Sequence, residues 1–179
     1  MKLHLGCGDK HIPGFVHIDV QPFPQVDHVA PVEKLPLIED DSVELIYACH
    51  ILEHFGRHNV LNVLKEWYRI LKPGGILRLA VPDFAAIVEV YNNEKFLDGY
   101  SGLIGLLCGG QRHSFDYHNM MFDKNLLTSF LHQANFTTVR PWDWRKTEHS
   151  FLDDYSQAYL PHMDKDNGVL MSLNLEAIK

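Results

Sequence analysis

The chain reads as an α/β protein, a doubly wound and mostly parallel sheet with helices on both faces. Two observations predict this. Short apolar runs of strand length alternate with stretches whose apolar residues recur every three or four positions, the signature of strand–helix–strand units. One run, Ser42–Ala48, is apolar on both sides, with Val43, Leu45 and Tyr47 on one face and Ile46 and Ala48 on the other. A strand sandwiched between two helical layers needs that pattern. A length of 179 residues fits one domain, residues 1–179, and the 46% hydrophobic and 22% charged composition suits an ordinary globular protein.

The elements follow in order. Lys2–Leu5 is a short strand running into the turn Gly6-Cys7-Gly8-Asp9, and Phe15–Asp19 is a second strand ending in an acid. Val26–Ala30 is a weak third, closed by Pro31, and Ser42–Ala48 the fourth. From Leu52 to Leu71, the spacing of Val60, Leu64, Trp67, Tyr68 and Leu71 predicts a helix, stopped by Lys72-Pro73-Gly74-Gly75. Ile76–Val81 is a strand. Pro82-Asp83 starts a helix whose buried face would be Phe84, Ile87, Val88 and Tyr91. Asp123 can cap a helix carrying Leu126, Leu127, Phe130, Leu131 and Ala134 and ending near Asn135. Thr137–Trp144 and Val169–Ile178 are the last strands.

Charge and cysteine usage narrow the function classes. Sixteen Lys and Arg against 23 Asp and Glu leave a formal charge of -7, the wrong sign for a protein that grips a phosphate backbone, so no nucleic-acid partner is expected. Cys7, Cys49 and Cys108 are odd in number and widely spaced, which supports neither a disulfide framework nor a cysteine-rich zinc site. No apolar run has the length of a leader core or a membrane helix. The expectation is a soluble cytoplasmic protein without membrane association; its oligomeric state is left open.

Ligands of parallel sheets bind beyond the carboxyl ends of the strands, where the strand order reverses. The residues to question are therefore Gly6–Asp9, Asp19, Pro31–Glu33, Cys49–His54 and Pro82-Asp83. Gly6 and Gly8 permit a left-handed turn and close approach of a ligand to the backbone, and an acid at the end of the next strand, Asp19, can accept both hydroxyls of a ribose. The dinucleotide fingerprint is incomplete, because its third glycine is missing and Asp19 follows too soon.

The segments LHLGCGDKHIPGFVHIDV, VEKLPLIEDDSVELIYACHILEHF and EWYRILKPGGILRLAVPDF, in that order, resemble the small type 11 class I methyltransferases that use S-adenosylmethionine. The resemblance covers residues 2–84. It implies a seven-stranded sheet of order 3-2-1-4-5-7-6 with an antiparallel last strand, and S-adenosylmethionine as cofactor with S-adenosylhomocysteine as product. Carried onto this chain, Gly6, Cys7 and Gly8 would meet the methionine part of the cofactor and Asp19 the ribose. Val20, Val32 and Glu33 would flank the adenine, and His50 would lie on the sulfonium side. Two departures stand out. Pro31 occupies the position where the family has an acid for the adenine amine, and the space between Gly8 and Phe15 holds barely one turn, so the usual first helix is absent or vestigial.

Twelve histidines in 179 residues need places. His50-Ile51-Leu52-Glu53-His54 matches H-x-x-E-H, in which two helical histidines bind zinc beside a glutamate base. His50 directly follows a strand, however, which puts it at a junction and not a turn inside a helix, so no metal is assigned, and Glu53 and His54 are read as groups that fix the local loop. His4, His17, His28, His58 and His132 fall on strand or helix patterns as packing or surface residues. The segment Gly109–Asn119 combines glycine hinges with aromatic and titratable residues in a connection longer than the fold requires. Residues 99–121 are accordingly expected to form a lid over the acceptor, with His113 and His118, then His50, as catalytic bases. Residues 143–168 have no assigned role.

The leading function is methyl transfer from S-adenosylmethionine to a small-molecule or sugar-like acceptor, on oxygen or nitrogen. A non-catalytic module binding the cofactor or its demethylated product is the alternative, and a zinc hydrolase acting through residues 50–54 the third.

Overall fold

In a computed structural model, residues 1–94, 102–162 and 164–179 are described. The strands are β1 (Lys2–Leu5), β2 (Val16–Asp19), β3 (His28–Val29), β4 (Val43–Cys49), β5 (Leu71–Pro82), β6 (Thr138–Pro141), β7 (Tyr159–Leu160), β8 (Val169–Leu170) and β9 (Ser172–Ile178). The helices are α1 (Val60–Ile70), α2 (Phe84–Glu94), α3 (Leu103–Cys108) and α4 (Lys124–Gln133). Seven strands form one sheet in the order β3-β2-β1-β4-β5-β9-β6, and β7 pairs with β8 in a separate ribbon. The first five sheet strands are parallel, and β9 runs antiparallel to both β5 and β6. This is the predicted order, with the ninth strand of the chain as the seventh of the sheet. The order reverses between β1 and β4, so their carboxyl ends flank the crevice in which such sheets take ligands.

Alternation along each strand divides the sheet. Leu3, Leu5, Ile18, Ile46, Ala48, Leu77, Leu79, Leu175 and Ala177 pack with Val63, Leu64 and Trp67 of α1 and Leu127 and Leu131 of α4 in the main core. The Trp67 indole N–H, buried with its ring, donates to the Val32 carbonyl at 2.9 Å and so is not left unpaired. The opposite face carries Leu45 and Tyr47 beneath Ile12, Phe15 and Leu152, which come from irregular segments.

Several element boundaries differ from expectation. The helix predicted from Leu52 is two pieces, a single 3-10 turn (Leu52–His54) and α1, with Phe55–Asn59 between them. The strand expected from Ile76 begins earlier: Leu71 already pairs with Val43, and the register shift between Val43 and Leu45 lets Lys72–Gly75 bulge before Ile76 pairs with Leu45. On α2 the buried residues are Ala86, Ile87 and Val90, whereas Phe84, Val88 and Tyr91 are about two-fifths exposed (39%, 40% and 42%). The helix packs on α3 and on Val169 and Met171 near β8, and this rotates its buried stripe from the one its sequence suggested. The last predicted strand is interrupted because Leu170 pairs with Tyr159 in the ribbon before Ser172 joins the sheet. Residues 9–15 form turns and no helix, as the short spacing implied. The Asp123 cap is as predicted, its carboxylate accepting from Leu126 N at 2.7 Å.

Candidate functional site

The glycine turn after β1 is held by the ladder it extends. Gly6 N donates to Ile18 O at 2.8 Å with φ at +63°, and a Cβ here would lie 2.7 Å from the Ile51 side chain, so only glycine fits. Gly8 follows in the same left-handed region, and the space where its Cβ would project is open. Asp19, at the end of β2, is 7% exposed, and both its oxygens are pinned. Oδ2 accepts from Gly8 N and Oδ1 from Gln21 N, each at 2.8 Å. Gln25 Nε2 donates to the Gly8 carbonyl and ties the next loop to the turn.

These groups open onto a cavity of about 160 Å³ lined by Gly6, Asp19, Val20, Pro31, Val32 and Glu33 on one side, and by Ile51, His54, Phe55, Ser114, Phe115 and Tyr117 on the other. A larger cavity, about 440 Å³, lies where β1 and β4 begin, beside Lys2 and Glu44 at the opposite end of the sheet. Cys7 is buried, and its thiol is pushed up to about 12 by burial and then by Asp19, so it is a packing group with no thiolate to offer.

The expected lid can be placed only in part, since 99–101 lie outside the described residues. From Gly102 onward it is α3 followed by a loop that folds back on itself. Gln111 N donates to Asp116 O at 2.9 Å and Arg112 pairs with Asp116 at 2.7 Å. A Cβ on Gly109 would fall 2.3 Å from Asp116 O, which is why the hinge is glycine. The loop is fastened to the 3-10 turn after β4: Asn119 N and Met120 N both donate to Glu53 O, and Asn119 Nδ2 donates to His54 O at 2.8 Å.

Of the three histidines expected to act as bases, His50 and His118 both approach Glu53 Oε1, at 3.4 and 3.8 Å, and His113 stands apart. His113 is exposed at the rim, 3.2 Å from Gln21 Nε2. His50 takes a left-handed turn (φ 51°) and does not line the cavity; its Nε2 is 3.0 Å from Ser172 Oγ, its Nδ1 3.4 Å from Glu53 Oε1, and its ring 5.2 Å from that of Tyr155. Burial first, then His118 and His54, lower it to about 3, so it is neutral at physiological pH. His118 turns inward, Nδ1 to Leu106 O at 2.8 Å and Nε2 3.8 Å from Glu53 Oε1. Glu53 is fully buried, and burial raises its carboxyl to about 8. Its approaches to His50 and His118 are therefore contacts between groups that burial drives toward neutrality, not ion pairs. Sequence spacing gave no reason to join Glu53 and His54 to His118, or to bring Ser114, Phe115 and Tyr117 opposite Asp19; their aromatic and polar types were the only hint.

Residues 13–79 match the family model described as a methyltransferase domain. No curated protein matches the chain. Among solved structures, a S-adenosylmethionine-dependent methyltransferase from Archaeoglobus fulgidus aligns with 99% of this chain and 85% of its own at 13% identity and a TM-score of 0.60. The chain has the fold of the class I methyltransferases. The 1,6-didemethyltoxoflavin-N1-methyltransferase of Burkholderia thailandensis, solved with 1,6-didemethyltoxoflavin and S-adenosylhomocysteine, aligns over 99% and 70% at 16% identity and a TM-score of 0.59. A S-adenosylmethionine-dependent methyltransferase from Mesorhizobium loti gives 99%, 90%, 14% and 0.58. In the methyltransferase fold the cavity beside Asp19 lies at the carboxyl ends of β1 and β2, next to the switch point. Among the described residues, no helix is long and apolar enough to cross a membrane.

Proposed function

We propose that the chain is a S-adenosylmethionine-dependent methyltransferase acting on a hydroxyl or amine of a small-molecule or sugar-like acceptor. The observation that carries this is Asp19: a buried carboxylate, fixed by two backbone N–H groups, in the wall of a cavity at the switch point. Each of its oxygens keeps lone pairs for a vicinal diol. No helix starts in residues 9–15, so the glycine turn lacks the dipole and free N–H groups that a pyrophosphate requires. A nucleoside without phosphates suits the crevice better than a dinucleotide does. Gly6, Cys7 and Gly8 would cradle its amino-acid tail, and Val20, Val32 and Glu33 its base, with Pro31 leaving the adenine amine to backbone or to Glu33.

S-adenosylmethionine supplies a methyl group on a sulfonium, and the chain's part is to hold the acceptor in line and dry, which is worth the largest share of such a rate enhancement. Residues 102–121 serve as the cover, through Ser114, Phe115 and Tyr117. Of the three histidines, His113 alone keeps an accessible ring beside the crevice, and it is the base assigned here, adding about 10²–10⁴-fold for a hydroxyl or amine.

Calorimetric titration with S-adenosylhomocysteine and with NAD tests this. S-adenosylhomocysteine binds and NAD does not, and Asp19→Ala raises the dissociation constant at least tenfold. Absence of S-adenosylhomocysteine binding, or an Asp19→Ala constant equal to wild type, overturns the proposal.

A further inference from the structure

Glu53 has no surface exposure, and among the described residues neither of its carboxylate oxygens has a hydrogen-bond partner. A buried carboxylate without partners costs several kcal/mol if charged, and a folded chain retains such a group only where something else satisfies it. His50 Nδ1 lies 3.4 Å from Glu53 Oε1, and two further imidazoles face the carboxylate. Ligand atoms of Glu53, His54 and His118 all lie within 4.8 Å of one another, and the two rings meet edge to face at 4.9 Å. Both imidazoles are oriented alike. His54 Nδ1 sits 3.0 Å from Tyr117 O and His118 Nδ1 2.8 Å from Leu106 O, so each Nδ1 carries its proton toward a carbonyl and leaves the Nε2 lone pair free. That is the arrangement in which a backbone acceptor orients a metal-binding histidine.

We infer that Glu53, His54 and His118 form a binding site for a divalent transition-metal ion, zinc above all. Two imidazoles and one carboxylate are the donor set of three-ligand zinc sites, at bond lengths of about 2.0–2.2 Å, which leave a fourth position open. Magnesium and calcium are hard cations that take oxygen ligands, whereas two of the three donors here are imidazole nitrogens. Tetrahedral ligands at those lengths stand about 3.4 Å apart, against 3.8 Å between His118 Nε2 and Glu53 Oε1 and at most 4.8 Å for any pair, so side-chain rotations close the set.

The site differs from the H-x-x-E-H pattern of the sequence. His50 does not share a helix with His54, and Glu53 is a ligand here, not a base. His54 and Glu53 sit on the turn after β4, and His118 lies on the loop that covers the crevice. The ion would therefore staple the cover to the sheet, in the same place where Asn119 and Met120 already bond to Glu53 O. His54 also lines the cavity beside Asp19, which puts the ion in the wall of the crevice. The inference is independent of what that crevice binds, because its readout is metal occupancy.

The test uses the full chain, stripped with a chelator and titrated with zinc and, for its spectrum, cobalt. One equivalent binds, cobalt giving the visible bands of a tetrahedral nitrogen–oxygen site. Direct ligands matter more than their supports, whose loss costs about 10–100-fold in affinity, so His54→Ala, His118→Ala and Glu53→Gln each weaken zinc binding by about 100-fold or more. His28→Ala and His162→Ala, at exposed positions elsewhere, leave it unchanged. His118→Asn keeps a donor for Leu106 O and removes the ligand, so its stripped form melts like wild type and still fails to bind. Weak binding shared equally by wild type and His118→Asn overturns the site. So does binding that survives His118→Asn and is lost in His50→Ala, which would place the ion on the local histidine pair.

Discussion

The two faces of the central sheet are built from different chemistry on the same strands. One cross-strand row, Val16–Leu3–Ile46–Leu77–Ala177–Val139, is entirely aliphatic, and helices α1 and α4 cover that face. The adjacent row, one residue along each strand, is His17–His4–Tyr47–Arg78–Glu176–Arg140. It is covered in large part by turns and 3-10 segments, and its polar groups are answered individually except for His4 Nδ1, which has no hydrogen-bond partner among the described residues. His17 accepts from Ile12 N at Nε2 (2.9 Å) and meets Asp27 at Nδ1 (3.2 Å), which pins residues 9–15 to the sheet where a first helix would otherwise pack. Tyr47 O–H donates to Asp154 at 2.6 Å, and Arg78 bridges Glu176 and Glu148. His149 packs on Tyr47 and Trp142, whose indole donates to Leu79 O. A helix satisfies its own backbone, but irregular cover must find side-chain partners for its exposed amides. The polar row supplies them, and much of the histidine excess lies here.

This contrast makes the aliphatic face the main source of stability and the polar face a set of smaller, separable terms. The sharpest way to break it is Trp67→Ala, under the aliphatic face, which should cost about 3–5 kcal/mol in guanidinium unfolding. On the polar face, Glu176→Gln strands two guanidinium groups, at 2.9 and 3.0 Å, and should cost less, about 1–3 kcal/mol, because Arg140 is more than half exposed and Arg78 keeps Glu148. Equal losses in the two variants would erase the distinction. The smallest effect near neutrality belongs to His4. Burial first, then His17, His149 and His11, lower it to about 3, against about 6.5 when unfolded. The unfolded chain then binds the extra proton between these values, so the neutral His4 contributes its full stability above pH 6.5 and loses it as pH falls toward 3. The slope is at most about 1.4 kcal/mol per pH unit. Urea midpoints across pH 7 to 5 should fall less steeply in His4→Gln than in wild type; parallel curves would show that His4 is already solvated.

The contrast between local and distant determinants recurs at the crevice. Gly6, Gly8 and Asp19 were legible because each sits at the end of a strand whose pattern is complete within a few residues. The Asp123 cap was legible for the same reason. The helical stripe of α2 was misjudged because its apolar residues exceed what one face can bury, and α3 with Met171, far along the chain, chose among them. His50, His113 and His118 share a residue type, but only His50 and His118 come together, at Glu53, and each by a different backbone constraint. A left-handed turn sends His50 toward Ser172, and the carbonyl of Leu106 draws His118 inward.

By itself, then, the sequence determined the order of the elements, the parallel sheet, the glycine turn and the acid that faces it, since period, turn chemistry and capping act over a handful of bonds. Tertiary structure alone decided that the Glu53 carboxylate is buried without a hydrogen-bond partner among the described residues, that His118 comes to it from beyond α1, β5, α2 and α3, and that Ser114, Phe115 and Tyr117 line the same cavity as Asp19. Those placements depend on how loops of weak local preference dock on a finished sheet, and the energy that selects them comes from desolvation and from hydrogen bonds between segments remote in the chain.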